Sequence, residues 1–162
     1  MESMTILEKK VDAIARYVLA NDFETRDGAL KELATLMTGP EVSARTAEET
    51  TRELLIELGV PEHLVGSKYL IKAICAVVEN EDLLNAVTFE LYPIVADTYA
   101  STKSKVERGI RHAIEVAWDR GDMDTHQWYF GGTISPSKGK PTNSEFIARC
   151  GNIVRNKIGR GD

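Results

Sequence analysis

The sequence predicts an all-α protein built around a helix-turn-helix, and three observations carry that expectation. Apolar residues recur every three to four positions through most of the 162 residues, no segment alternates with the period of two that a half-buried strand needs, and Gly and Pro fall between the periodic segments. Residues 1 to 45 read as a helical extension that docks or dimerises, and residues 46 to 162 as a helix-turn-helix domain.

Leu7, Val11, Ile14 and Val18 make the first apolar stripe. Asp27 is placed to cap a second, short helix carrying Leu30, Leu33, Leu36 and Met37, which Gly39-Pro40 ends. After a small-polar stretch, residues 47 to 58 restart a helix with Leu54, Leu55 and Leu58 inward, closed by Gly59 with Pro61 beyond. Residues 69 to 78 are a strongly apolar helix at the centre of the core. A short helical turn over residues 83 to 87 precedes a helix from about 89 to 99 that carries Leu91, Ile94, Val95 and Tyr99. The chain then leaves only a tight connection before a long helix that opens near Thr102 and stops at Gly121, the spacing of a helix-turn-helix. An aromatic stretch at 126 to 130, the pair Gly131-Gly132 and a polar loop to Lys140-Pro141 follow. The last helix has two possible starts: Asn143 as cap, or Thr142 as cap with Glu145 completing a capping box.

A chain of this length forms one domain with an appendage and buries a core without staples. The helix pair at the front cannot bury much alone. Its stripe has heptad spacing over only two heptads, and three coverings are open: docking within the chain, self-association, or an external partner. Cys75 and Cys150 lie in apolar-periodic segments with no second Cys or His at metal-ligand spacing, so they read as buried free thiols. Neither a metal nor a cofactor is expected. The sequence has no signal-peptide pattern and no apolar run near the roughly 20 residues of a membrane span, so it reads as cytoplasmic with no membrane partner.

A net charge of −5 seems to argue against a nucleic-acid partner, but the charge is unevenly spread. Residues 101 to 162 hold 11 Lys or Arg and 7 Asp or Glu, a balance of +4, which leaves −9 for residues 1 to 100. The local field governs association with a polyanion, so an acidic first half does not exclude a basic docking face.

That face lies on residues 104 to 118. At about 100° per residue, Val106, Ile110, Ala113, Ile114 and Ala117 fall together, while Ser104, Lys105, Arg108, Arg111 and His112 point the other way. Such a helix packs with one side and offers cations and donors to the major groove of double-stranded DNA with the other. Arg108 suits a guanine, to which a guanidinium donates two parallel bonds. Glu107 suits a cytosine amino group or the orienting of Arg108. Thr102, Ser104 and Lys105 sit where recognition helices meet bases and phosphates, Lys103 and Arg111 suit phosphates, and His112 approaches them.

Residues 106 to 118 (VERGIRHAIEVAW) and 140 to 148 (KPTNSEFIA) closely resemble the DNA-binding effector domain of stage zero sporulation protein A, a sporulation response regulator. The resemblance extends back through residues 91 to 96 to residues 56 to 61. It implies a winged-helix-like, all-helical effector fold with no developed sheet, a major-groove recognition helix, and binding to short duplex sites as a homodimer. It puts Lys105, Glu107, Arg108 and Arg111 on the DNA side, with Ser104 near the backbone. It also implies a surface for the sigma subunit of RNA polymerase over residues 121 to 134, with Gly121, Thr125, Gln127, Phe130 and Ile134 as contacts and Thr125, Gln127 and Phe130 exposed.

Two departures bear on the site. Lys105 stands where the family has Arg and lacks the planar fork, which alters base preference. Gly109 stands where the family has Ala, costs about 1 kcal/mol in helix propensity, and would let the backbone approach the groove. The family also carries a phosphorylatable receiver ahead of the effector, whereas here only the short helical segment precedes it, the arrangement expected of an orphan effector. The rival within the fold is an interaction protein that dimerises with or antagonises a full-length regulator. Enzymatic chemistry is not expected, since His63, His112 and His126 pair with no carboxylate at zinc-ligand spacing and Gly131-Gly132 precedes no anion-holding helix.

Overall fold

A computed structural model describes residues 5–38, 46–134, 137 and 139–159. The expected helix stop at Gly39-Pro40 and the small-polar stretch after it lie outside the described residues. Those described form eight α-helices and no strand. The chain divides into two compact units, Met1–Ala44 and Arg45–Asp162.

The first unit is a helical hairpin of α1 (Ile6–Leu19) and α2 (Phe23–Thr38). Thr5 and Glu8 form a capping box at the start of α1. Asp22, not Asp27, caps α2: its carboxylate accepts from the Thr25 N–H at 2.7 Å. The tight link from α1 brings Asp22 to the first turn, and Asp27 lies inside the helix paired with Lys31 at 2.6 Å. The inner seam is thin, with Ala13, Ala20 and Ala29 buried and Leu33 and Leu36 half-buried. Arg16 bridges Asp12 at 2.9 Å and Glu32 at 2.6 Å along one flank. Leu7, Val11, Ile14 and Val18 are all exposed.

The second unit starts with α3 (Ala47–Glu57), capped by Thr46 and Glu49, whose Leu54 and Leu55 are buried together with Leu58 just beyond. Gly59 takes a φ of +87°, the left-handed stop. Helix α4 (Val65–Glu79) opens four residues earlier than the apolar run implies and packs on α3, α6 and α8. The short turn expected over 83 to 87 is a 3₁₀ segment (Glu81–Ala86), and the single helix expected from about 89 to 99 is two pieces, a π-turn (Val87–Leu91) and α5 (Tyr92–Thr98). Pro93 is the cause, because it has no N–H to continue the ladder and its ring crowds the preceding turn.

Between α5 and α6 (Lys103–Arg120), Ala100 adopts a φ of +48° and the Ser101 N–H donates to the Ala96 carbonyl at 2.9 Å. This closes α5 and turns the chain. The Tyr69 hydroxyl donates to Ser101 Oγ at 3.1 Å and ties the turn to α4. The aromatic stretch after Gly121 is itself helical: α7 (Met123–Phe130), with Asp122 accepting from the Thr125 N–H at 2.9 Å. Thr142 caps α8 (Asn143–Gly159). Its hydroxyl accepts from the Glu145 N–H at 3.2 Å and its own N–H donates to the Glu145 carboxylate at 2.8 Å, which decides between the two starts.

Two contacts seat α6. Along its middle, Gly66 of α4 lies against the backbone of Gly109, and the Tyr69 ring would stand 3.0 Å from a Cβ added at Gly109. Gly109 thus faces α4 and serves helix packing rather than approach to a groove. At the C-terminal end, Trp118 stacks on His126 with centroids 4.1 Å apart, and Phe130 stacks on Phe146 at 5.4 Å. His126 Nε2 lies 2.8 Å from the Leu58 carbonyl oxygen and joins α7 to the end of α3. Cys150 is buried and Cys75 half-buried, both as free thiols.

Gly66→Ala would drive a methyl into the Gly109 carbonyl. It is expected to cost about 2 kcal/mol or more, whereas Gly109→Ala, trading a tight ring contact for better propensity, is expected to stay within about 1 kcal/mol of the parent. Urea unfolding of both variants checks the contrast.

Candidate nucleic-acid interface

The solvent side of α6 is built by the helix period. Val106, Ile110, Ala113, Ile114 and Ala117 are buried, which forces Lys103, Ser104, Lys105, Arg108, Arg111 and His112 outward, where all six are exposed. Thr102 is exposed too, but its hydroxyl is engaged as the helix cap, accepting from the Lys105 N–H at 3.3 Å. Glu107 is half-buried.

Most of this face is organised by contacts one helical turn apart. Arg108 donates to Ser104 Oγ at 3.2 Å, and Arg111 is ion-paired with the Glu107 carboxylate. Glu107 therefore orients Arg111, not Arg108. Its backbone carbonyl accepts from Asn143 Nδ2 at 3.1 Å, and the same amide nitrogen donates to the Tyr92 hydroxyl at 3.1 Å. Asn143 thus clasps α5, α6 and the start of α8 together under the arginines. Burial pushes the Tyr92 hydroxyl pKa up, and the hydrogen bond from Asn143 partly offsets that. Lys103 holds its ammonium 5.7 Å from the centre of the exposed Phe89 ring.

Beside the arginines a cleft of about 520 Å³ opens between the π-turn, α6 and the start of α8, lined in part by Thr88, Glu107, Arg111, Lys140 and Thr142. Lys140 pairs with Glu115 at 3.0 Å, which places another cation beside Arg111. Sequence reasoning passed over Lys140 as a binding residue because it lies 29 positions after Arg111 and only the fold joins them.

The start of α6 differs in charge from that of most other helices, although α4 and α5 also lack an acid there. Helices α1, α2, α3, α7 and α8 each carry Asp or Glu in the first turn, where the carboxylate meets the positive end of the helix dipole. The first turn of α6 has none and holds Lys103 and Lys105 instead. Lysines there work against the dipole by about 0.3–1 kcal/mol each. Together with the unpaired N–H groups of the first turn, they suit an anion from outside.

Of the five expected polymerase contacts, only Gln127 projects freely into solvent. Phe130 is 2% exposed, a correction to its expected exposure: it packs between Trp118 and Phe146 because α7 turns that edge inward. Thr125 is half-buried and bonded to Asp122, Ile134 is partly buried against the core, and Gly121 is packed under His126. Met123 and Trp128 are instead the large exposed side chains of α7, at 81% and 82%. Core packing, which explains an aromatic here equally well from sequence, does not account for Trp128. Among the described residues no helix is long and apolar enough to cross a membrane.

With this geometry in place, the comparison with known families is direct. The family model described as "Sporulation initiation factor Spo0A C terminal" matches residues 51–154, from within α3 to the last turns of α8. Lys105→Glu separates the two roles of the α6 start. It is expected to raise stability by about 0.5 kcal/mol, since a carboxylate favours the helix dipole, while weakening duplex binding, read by thermal unfolding beside fluorescence anisotropy.

Proposed function

Because the chain belongs to the family of the sporulation initiation factor Spo0A C-terminal domain, we propose that it is a sequence-specific DNA-binding transcriptional regulator with α6 as the major-groove reading helix. The observation that carries this reading is the α6 face. It is a helix whose buried side is fully used by the core, whose first turn is cationic against its own dipole, and whose exposed side presents Arg108 and Arg111. Thr102 to Lys105 enter the groove first. Arg108 reads guanine through a paired donation, while Lys103, Arg111 and His112 hold phosphates on either side. Lys105, a point charge without a fork, contributes attraction more than base discrimination.

In this reading the protein works in the cytoplasm, binds duplex sites as a homodimer, and performs no catalysis. A polymerase contact falls on Gln127 with the exposed Met123 one turn before it on α7, with the sigma subunit as the partner the resemblance implies.

Anisotropy titrations against random duplexes and duplexes carrying a selected site test the proposal. Arg108→Ala is expected to lose about 1–3 kcal/mol of discrimination at one base pair with the fold unchanged. Arg111→Ala is expected to weaken all duplexes alike and to lower the salt slope by about 1. Equal binding of the Arg108→Ala variant and the parent to the best site would refute the assignment, as would no binding at low salt.

A further inference from the structure

The hairpin of the first unit carries an apolar face that its own fold leaves uncovered. Leu7, Val11, Ile14 and Val18 of α1 follow alternating steps of four and three, and Phe23, Leu30 and Met37 of α2 follow steps of seven. Each set therefore forms one line along its helix. The helical period and the antiparallel run of the two helices put both lines on the same side of the hairpin. The ion-paired flank of Asp12, Arg16 and Glu32 lies on the other side. All seven side chains are between 46% and 84% exposed, while the seam between the helices buries only alanines fully.

We propose that this face is a self-association surface and that its occupant is the same face of a second copy, two hairpins closing into a four-helix bundle. Three observations favour a second copy. The α1 spacing is that of a coiled-coil seam, a pattern that packs well on a like seam, and neither line contains a charge that a two-fold would oppose to its own image. The seven side chains offer roughly 800 Å² per copy, the size per partner of a standard stable interface. The exposed large apolar residues of the second unit are scattered: Ile56, Val65, Phe89 and Ile94 lie on four different elements, and Met123 and Trp128 on different sides of α7. Among its described residues no single helix carries a comparable exposed apolar line.

The consequence for DNA rests on the reading proposed above. A dimer closed through the hairpins tethers two α6 helices, and binding of the second to an adjacent half-site becomes an intramolecular event.

Sedimentation equilibrium on the full chain without DNA tests the surface. The parent is expected to be dimeric, and Val11→Glu/Val18→Glu and, independently, Phe23→Glu/Leu30→Glu are expected to be monomeric with unchanged helical circular dichroism. On a duplex with two sites the monomeric variants should lose roughly 100-fold in affinity, with single-site binding retained. A monomeric parent at the highest soluble concentration would overturn the proposal, as would variants that remain dimeric. Retained single-site binding leaves the DNA reading standing whichever way the mass falls, so the two failures are distinguishable.

Discussion

Backbone contact between α4 and α6 at Gly66 sets how the second unit is assembled. Helix α6 presents its outer face with its inner face so close to α4 that a methyl group does not fit between them. Everything else holds that arrangement: Tyr69 packs across Gly109 and anchors the turn at Ser101, Asn143 clasps α5 and α6, and the Trp118–His126 stack fixes the far end. A helix held at its middle and both ends keeps its exposed side chains in register, and base recognition needs that rigidity more than it needs flexibility.

Opposed demands meet at the first turn of α6. Five of the seven other helices carry a carboxylate in the first turn and three of these complete a reciprocal capping box, the arrangement that stability alone favours. At α6 the Thr102 cap is kept and the acid is not. The buried apolar side of the helix compensates for that unfavourable end, so the cost falls on the core rather than on the site.

Much of this was legible in the residues. The two faces of α6 follow from spacing alone, and so do the inward leucines of α3, the stop at Gly59 and the boundaries of α6 at Thr102 and Gly121. What escaped is what depends on the third dimension. A helix expected to run from 89 to 99 passes over Pro93, and how the chain accommodates that ring, as a π-turn, depends on packing. Phe130 and Trp128 are both large and aromatic, and only the pitch of α7 sends the first inward and the second out. Gly109 looked like a concession to the groove until its neighbour across the interface, Gly66, came from a helix more than forty positions earlier. Asp22 and Asp27 have the same chemistry, and the connection from α1 decides which of them caps.

The two arginines of the proposed reading face are already occupied within the helix, Arg108 by Ser104 and Arg111 by Glu107. In the proposed reading a duplex displaces these partners, and at Arg111 a phosphate gives back little more than the Glu107 carboxylate it replaces. At Arg108, whose present partner is the neutral Ser104 hydroxyl, any pair of acceptors that takes both donors of the guanidinium, on a guanine edge or on a phosphate, improves on the bond that is broken. On that reading the Arg111–Glu107 pair discounts what phosphates return on every duplex alike, which leaves a larger share of the affinity to the contact that Arg108 makes.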